Sequence, residues 1–182
     1  MKYIDSKDIE RARQWLLLEE EKCGYLIPHG ENRVVVIEDG IGGQRRGRRL
    51  CNYNSPYKKY LWHTHPLTSQ SYPSTEDVIK VLKPRTKDVV MVSLIFTKWG
   101  LWEMFAKSKG IISNSVSHDL NNAYGRLYNM TERGRGVLTH GTLPIVQSYI
   151  NDVKYSLQEW GYEMSFTGWD TLKGGDYYMR YA

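Results

Sequence analysis

Residues 59–82, KYLWHTHPLTSQSYPSTEDVIKVL, decide the fold because they predict a strand, a loop and a helix in close succession. Residues 59–65 are rich in aromatic and apolar side chains, which is typical of a strand. Pro66 ends that strand, and Ser74 opens a short helix as its N-cap. The pattern indicates a sheet strand that leads directly into a helix.

Two histidines on the predicted strand are the first candidates for chemistry. Side chains two apart on a strand point to the same face, so His63 and His65 lie side by side, about 7 Å apart at Cα. Their rings can converge on one ion, because a Zn–N bond is about 2.0–2.1 Å long. Asp77 falls in the first turn of the following helix, where its carboxylate can face the same ion. Three protein ligands leave a fourth position for water, which is the layout of a catalytic zinc site.

A catalytic zinc site also needs a general base within hydrogen-bonding reach of the water. Three consecutive glutamates, Glu19, Glu20 and Glu21, follow the predicted first helix and are the candidates. Glu21 directly precedes the predicted strand 23–27, so the sheet can hold it near the metal. A solvated acidic run is the alternative interpretation, and the residues alone do not decide between the three.

The chain ahead of the histidines predicts one helix and two strands. Asp5 is expected to cap a first helix that ends near residues 19–21. Strand 23–27 is expected to stop at Pro28, and strand 33–38 is β-branched. The glycine-rich stretch that follows, from residue 40 to 47, is expected to form a turn or loop.

The chain after the histidines predicts more strands and two longer helices. Residues 89–96 form an apolar run typical of a buried strand, which is expected to pair with strand 99–105 through a turn at Gly100. Residues 108–117 are polar and are expected to form a loop. The last elements are expected to be helices at 119–130 and 143–160 and a strand at 162–167. The fold class is therefore α/β, with a curved mixed sheet flanked by helices.

Length and composition favour one soluble, intracellular domain. The chain has 182 residues, of which 41% are hydrophobic and 25% charged, as in ordinary globular proteins. No apolar run is long enough to span a membrane, and the first residues lack the apolar stretch of a secretory signal. Two cysteines are too few for a disulfide scaffold, so reduced cysteines and a cytoplasmic location are expected.

The charge balance does not favour a nucleic-acid partner. Lys plus Arg is 25 and Asp plus Glu is 20, a mild excess of +5. One basic run, Arg45–Arg49, could bind phosphates or an acidic partner. A solvated hairpin is the favoured interpretation of that run, because it is the only such cluster.

The remaining candidate residues have ordinary roles. His29, His118 and His140 lack ligand spacing and are expected on the surface or in loops. Cys23 is expected to be a small buried residue. Trp62 should point to the opposite face of the sheet from His63, into the core. No second Cys/His set is present, so one zinc per chain is predicted.

Two segments resemble the signature of the JAMM (MPN-plus) metalloproteases. From His63 to Asp77 the chain has the family's His-x-His-Pro, seven residues, Ser, two residues, Asp. Residues 21–26, EKCGYL, are similar to the Glu-x-Cys-Gly-x-Leu of its deubiquitinating members. The resemblance implies a single JAMM/MPN-like domain over residues 1–182, with a core at about 5–105 and C-terminal helices and a strand at 116–170. Many members have glycine where this chain has Pro28.

The resemblance also implies a role for each site residue. His63, His65 and Asp77 would bind zinc, Glu21 would be the general acid/base, and Ser74 would help to hold the oxyanion. Ser-x-x-Asp is an ordinary helix-capping pattern as well, so a purely structural Ser74 is the alternative.

The implied function is a zinc-dependent isopeptidase. Its substrate would be the bond between a lysine amine and ubiquitin or a ubiquitin-like protein. Two alternatives stay open, namely a zinc peptidase for a small peptide or sulfur-carrier-type protein, and a non-catalytic interaction scaffold. The resemblance leaves open whether an activating protein partner is required, and no membrane partner is expected.

Overall fold

The computed structural model describes residues 1–42, 60–83, 92–131, 143–172 and 174–182. These residues confirm the predicted α/β class, with a curled mixed sheet and helices on both of its faces. The elements are, in chain order, β1 Tyr3–Ile4, α1 Ser6–Trp15, β2 Glu21–His29, β3 Arg33–Gly42, β4 Tyr60–Thr64, α2 Thr75–Lys80, β5 Val92–Phe96, β6 Gly100–Ala106, α3 Asn114–Thr131, α4 Leu143–Ser156, a 3-10 turn Gln158–Trp160, β7 Tyr162–Gly168, α5 Trp169–Leu172 and β8 Tyr177–Tyr178.

The strand that carries His63 lies in the interior of the sheet. Among the described residues the strand order is β7-β6-β5-β4-β2-β3-β1-β8. β4 pairs in parallel with β5 and antiparallel with β2, and β5 pairs antiparallel with β6 as predicted. β4 therefore has a hydrogen-bonded neighbour on each side, which fixes the positions of the side chains it carries.

Successive residues of β4 point into different cores. Leu61 belongs to the core between the sheet and helices α2, α3 and α4. Trp62 belongs to the core on the opposite face, where Trp15 of α1 stacks on it with ring centroids 4.8 Å apart. The prediction that Trp62 faces away from His63 into the core is confirmed. Since strand side chains alternate, His63 shares the face of Leu61 and of the helices that cover it.

The two strands ahead of β4 are longer than predicted. Pro28 does not end β2, which continues to His29. In the described part of the sheet β2 pairs with β4 only through Cys23–Tyr25, so the missing N–H of Pro28 breaks no hydrogen bond of that ladder. β3 runs past residue 38 to Gly42, because a bulge between Cys23 and Gly24 lets the pairing with β2 continue.

The helix boundaries also differ from prediction. Asp5 caps α1 as predicted, but the helix ends at Trp15 rather than near residues 19–21. α3 begins at Asn114, inside the polar stretch predicted to be a loop. Residues 114–117 of that stretch belong to the helix, and Val116 is the one apolar residue among these four, so the local sequence gives little sign of the helix start.

No helix in the described ranges combines the length and the apolarity that crossing a membrane requires. The cytoplasmic location stays a prediction. Cys23 is completely buried, as expected, but it is disulfide-bonded, so the expectation of reduced cysteines does not hold for it.

Candidate metal centre

The two predicted histidines lie together at the carboxyl end of β4. β4 ends at Thr64, and His65 prolongs the ladder because its N–H donates to the carbonyl oxygen of Phe96 on β5 at 2.9 Å. The side chains of His63 and His65 point to the same face, as predicted, with their Nε2 atoms 3.2 Å apart. Both residues are buried.

A backbone carbonyl sets the orientation of the His65 ring. Nδ1 of His65 lies 3.0 Å from the carbonyl oxygen of Gln70. A carbonyl can only accept, so Nδ1 is the donor and Nε2 keeps the lone pair of the neutral ring. Metal-binding histidines usually donate their second N–H in this way, which fixes the tautomer and the ring plane.

The third residue, Asp77, is held by the start of α2. Ser74 is the N-cap, and its Oγ accepts from the N–H of Asp77 at 3.2 Å. In return the N–H of Ser74 donates to Oδ2 of Asp77 at 2.9 Å. This reciprocal capping box starts the helix and orients the Asp77 carboxylate in one step.

One donor atom can be chosen from each of the three residues so that all three atoms lie within 4.8 Å of one another. Oδ1 of Asp77 is 3.2 Å from Nε2 of His63, and Oδ2 is 3.2 Å from Nε2 of His65. A tetrahedral ion with bonds of 2.0–2.1 Å has ligands about 3.3 Å apart. This buried group could therefore bind a metal ion, and the described residues contain no other such cluster of His, Cys, Asp and Glu.

The electrostatics of the cluster favour an ionised carboxylate. Burial acts to raise the pKa of Asp77, but the charges and hydrogen bonds of His63 and His65 hold that pKa well below its usual value. Burial lowers the pKa of His63. Burial also acts to lower the pKa of His65, but the hydrogen bond and charge of Asp77 and the charge of Glu21 raise it overall.

Glu21 lies beside the cluster, on the neighbouring strand. Cys23 on β2 is the pairing partner of His63 on β4, and the same antiparallel register, continued by two residues beyond this pair, brings Glu21 level with His65. Residues opposite each other in such a pair point to the same face of the sheet. Glu21 therefore shares the face of the two histidines without being one of the cluster's three donors.

Glu21 and Glu19, both in the acidic run, differ in burial and in their position relative to β2. Glu21 is half-buried at the first position of β2, and its charge acts on His65. Glu19 is exposed in the turn that precedes the strand. The role of Glu21 as general acid/base stays a prediction.

Three buried aromatic side chains that sequence reasoning missed hold the loop and helix carrying Asp77. They come from β6, α4 and β7, and each donates to a backbone carbonyl of residues 71–78. The pairs are Trp102 with Ser71 at 3.0 Å, Tyr149 with Pro73 at 2.6 Å and Tyr162 with Val78 at 2.7 Å. The partners are 31, 76 and 84 positions apart, so no local spacing could indicate them.

The other predicted residues do not join the site. His29 and His118 are exposed, as expected. The basic run Arg45–Arg49 and His140 lie outside the described residues. No protein-family model and no curated protein matches this chain. The JAMM resemblance therefore rests on residues 21–26 and 63–77 of the chain itself.

Proposed function

We propose that this chain is a zinc-dependent isopeptidase of the JAMM type, cleaving ubiquitin or a ubiquitin-like protein from a lysine amine. The observation that carries the proposal is the buried donor cluster of His63, His65 and Asp77, in which the two Nε2 atoms lie 3.2 Å apart and each lies 3.2 Å from one of the two Asp77 oxygens. The substrate class comes from the resemblance of residues 21–26 and 63–77 to the family signature.

His63, His65 and Asp77 would hold the zinc ion. Two imidazole nitrogens and one carboxylate oxygen form a ligand set typical of catalytic zinc, which keeps a further position open. When bound, zinc polarises the scissile carbonyl and lowers the pKa of a water molecule to about 7. The burial of the two histidines favours one fixed ligand geometry, because neither ring is free to turn into solvent.

Glu21 would carry the proton. It accepts a proton from the attacking water and then donates it to the departing lysine amine. Its half-buried position opposite His65 supports this role, because the sheet holds it next to the metal ligands. Positioned general acid–base catalysis contributes about 10²–10⁴-fold to a rate.

Ser74 would donate a hydrogen bond to the developing oxyanion. Its Oγ accepts from the N–H of Asp77, which leaves the hydroxyl proton available for a substrate oxygen. A donor aimed at developing charge stabilises the transition state more than the ground state.

The test is incubation with lysine-linked ubiquitin chains, ubiquitin-like conjugates and carboxyl-terminally extended peptides, with and without a zinc chelator. We expect release of the free modifier, its loss on chelation and its recovery with added zinc. A protein with His63→Ala and His65→Ala is the matched inactive control. Cleavage that survives chelation but stops on thiol alkylation would overturn the proposal.

Two outcomes of the same experiment identify the alternatives. Cleavage of the peptides alone indicates a zinc peptidase acting on a small peptide or sulfur-carrier-type protein. Zinc binding without cleavage of any substrate indicates an interaction scaffold or a missing activating partner. The intact ligand set and the placement of Glu21 favour catalysis, because a scaffold needs neither.

A further inference from the structure

One peptide group links a buried tyrosine to a metal ligand. The carbonyl oxygen of Pro73 accepts from the Tyr149 hydroxyl at 2.6 Å. The N–H of the same peptide group, which belongs to Ser74, donates to Oδ2 of Asp77 at 2.9 Å. Oδ2 is in turn 3.2 Å from Nε2 of His65. A continuous path of polar contacts therefore runs from α4 to the donor cluster.

The segment that this peptide group belongs to depends on outside support. α2 has only six residues, too few for a helix that is stable by itself. Residues 66–74, which precede it, form neither helix nor strand. Pro73 has no N–H, so its carbonyl is the one backbone group through which hydrogen bonding can hold it. The contact with Tyr149 uses that group.

Tyr149 is a well-fixed donor. It is buried in α4, and its ring lies against Tyr72 and Trp102, with centroids 6.2 Å and 6.0 Å away. Burial and the negative charge of Asp77 raise the pKa of its hydroxyl well above the usual value, so the group keeps its proton. A carbonyl acceptor requires that proton.

We infer that Tyr149 is a positioning residue of the metal centre. Acting through the Pro73–Ser74 peptide, its hydroxyl fixes the plane in which Asp77 presents its carboxylate. The inference rests on the proposed metal-binding role of His63, His65 and Asp77. Partners that orient a ligand from outside the coordination shell typically change metal affinity by about 10- to 100-fold when they are removed.

The test is Zn²⁺ titration of Tyr149→Phe, which removes the hydroxyl and keeps the ring. We expect zinc affinity to fall by about 10-fold or more. The matched control is Tyr177→Phe, which removes an equally buried hydroxyl that bonds to Glu103 on the other face of the sheet. The control should bind zinc like the unmodified protein. Equal affinities in all three proteins, or equal losses in both variants, would overturn the inference.

A second measurement needs no metal. In the zinc-free protein the Ser74 amide should be protected from hydrogen exchange, because it is bonded to Asp77 in a peptide group that Tyr149 holds. Tyr149→Phe should speed the exchange of this amide, and Tyr177→Phe should not. An unchanged Ser74 exchange rate in Tyr149→Phe would contradict the inference. If that variant does not fold, a Ser74 amide in the unmodified protein that exchanges as fast as an exposed one contradicts it equally.

The two measurements separate this inference from the proposed function. If the unmodified protein binds no zinc, the proposed function fails, while Ser74 exchange still reports whether Tyr149 orders the peptide. If it binds zinc without cleaving any conjugate, the affinity comparison remains valid.

Discussion

Asp77 has two roles, and one substitution separates them. Its carboxylate accepts the Ser74 N–H in the capping box, and it supplies an anionic oxygen to the donor cluster. Asp77→Asn keeps an oxygen for the cap but removes the charge, and a neutral amide is a poorer ligand for a divalent cation. We expect zinc affinity to fall by at least about 100-fold, the upper end of what outer-shell changes cost. The measurement is zinc titration, with circular dichroism showing that the fold persists. Unchanged affinity would remove Asp77 from the ligand set.

Glu21 should be dispensable for metal binding and essential for turnover. Glu21→Gln preserves the size of the side chain and abolishes its ability to carry a proton. We expect full zinc occupancy and a loss of activity of about 10²–10⁴-fold, measured as release of modifier from a conjugate. Glu20→Gln is the control for register in the acidic run and should stay active. An inactive Glu20→Gln together with an active Glu21→Gln would contradict the assignment of the proton carrier to Glu21 and would identify Glu20 instead.

Whether a site residue can be predicted from the sequence depends on how far it lies along the chain from the other site residues. His63, His65 and Asp77 lie within one short segment, so strand alternation and a helix cap were enough to bring them together. Placing Glu21 beside them requires the register of β2 against β4. Among the three glutamates, only the family resemblance pointed to this one. Tyr149 could not be found at all, because an aromatic residue in a helix predicts core packing and gives no sign of its hydroxyl partner.

At the level of elements, the short helix α2 depends on its cap. Ser74→Ala removes the side-chain acceptor of the Asp77 N–H and should lower the free energy of unfolding by about 1 kcal/mol. Ser74→Gly should cost only a few tenths of a kcal/mol relative to the native cap. Urea denaturation measures both.

The same pair of variants tests the proposed oxyanion role. Both lack the hydroxyl, so both should lose activity if it donates to the substrate. Activity that follows stability, with Ser74→Gly close to the unmodified protein, would show that Ser74 acts as a cap alone.

Strand β6 carries a buried carboxylate that anchors the C-terminal segment. Oε1 of Glu103 accepts from the Tyr177 hydroxyl and the Arg180 N–H, and Oε2 accepts from the Tyr181 N–H. Burial raises the pKa of Glu103, although these hydrogen bonds and the nearby charge of Arg180 act to lower it. The folded protein therefore holds this proton to a higher pH than the unfolded chain does.

A raised carboxyl pKa fixes the sign of the pH dependence. Between the unfolded and folded pKa values of Glu103 the folded state binds more protons, so stability falls as pH rises through that interval. The slope from one group reaches at most about 1.4 kcal/mol per pH unit. We expect this fall in the unmodified protein and its absence in Glu103→Gln, measured as the difference between their unfolding free energies from pH 4 upward. A difference that does not change with pH would contradict the assignment.

At the scale of the whole molecule, local patterns predicted the elements better than their arrangement. β5 and β6 were predicted to pair because a tight turn at Gly100 joins them. β1 has only two residues, and they pair with residues 33–34 and 177–178, which no local pattern connects. The order of the sheet therefore depends on long-range packing of its two faces, which a single sequence does not display.

Zinc binding should be visible as a stability change of the whole chain, because the ligands come from β4 and α2 and meet only in the folded state. A ligand at 100 times its dissociation constant adds about 2.7 kcal/mol to the free energy of unfolding. We expect that increment in urea denaturation with zinc, its loss with a chelator, and one zinc per chain by elemental analysis. The protein carrying both His63→Ala and His65→Ala should unfold alike with and without zinc. An equal increment in that variant would mean that the stabilising zinc binds elsewhere. His63, His65 and Asp77 would then not be its ligands.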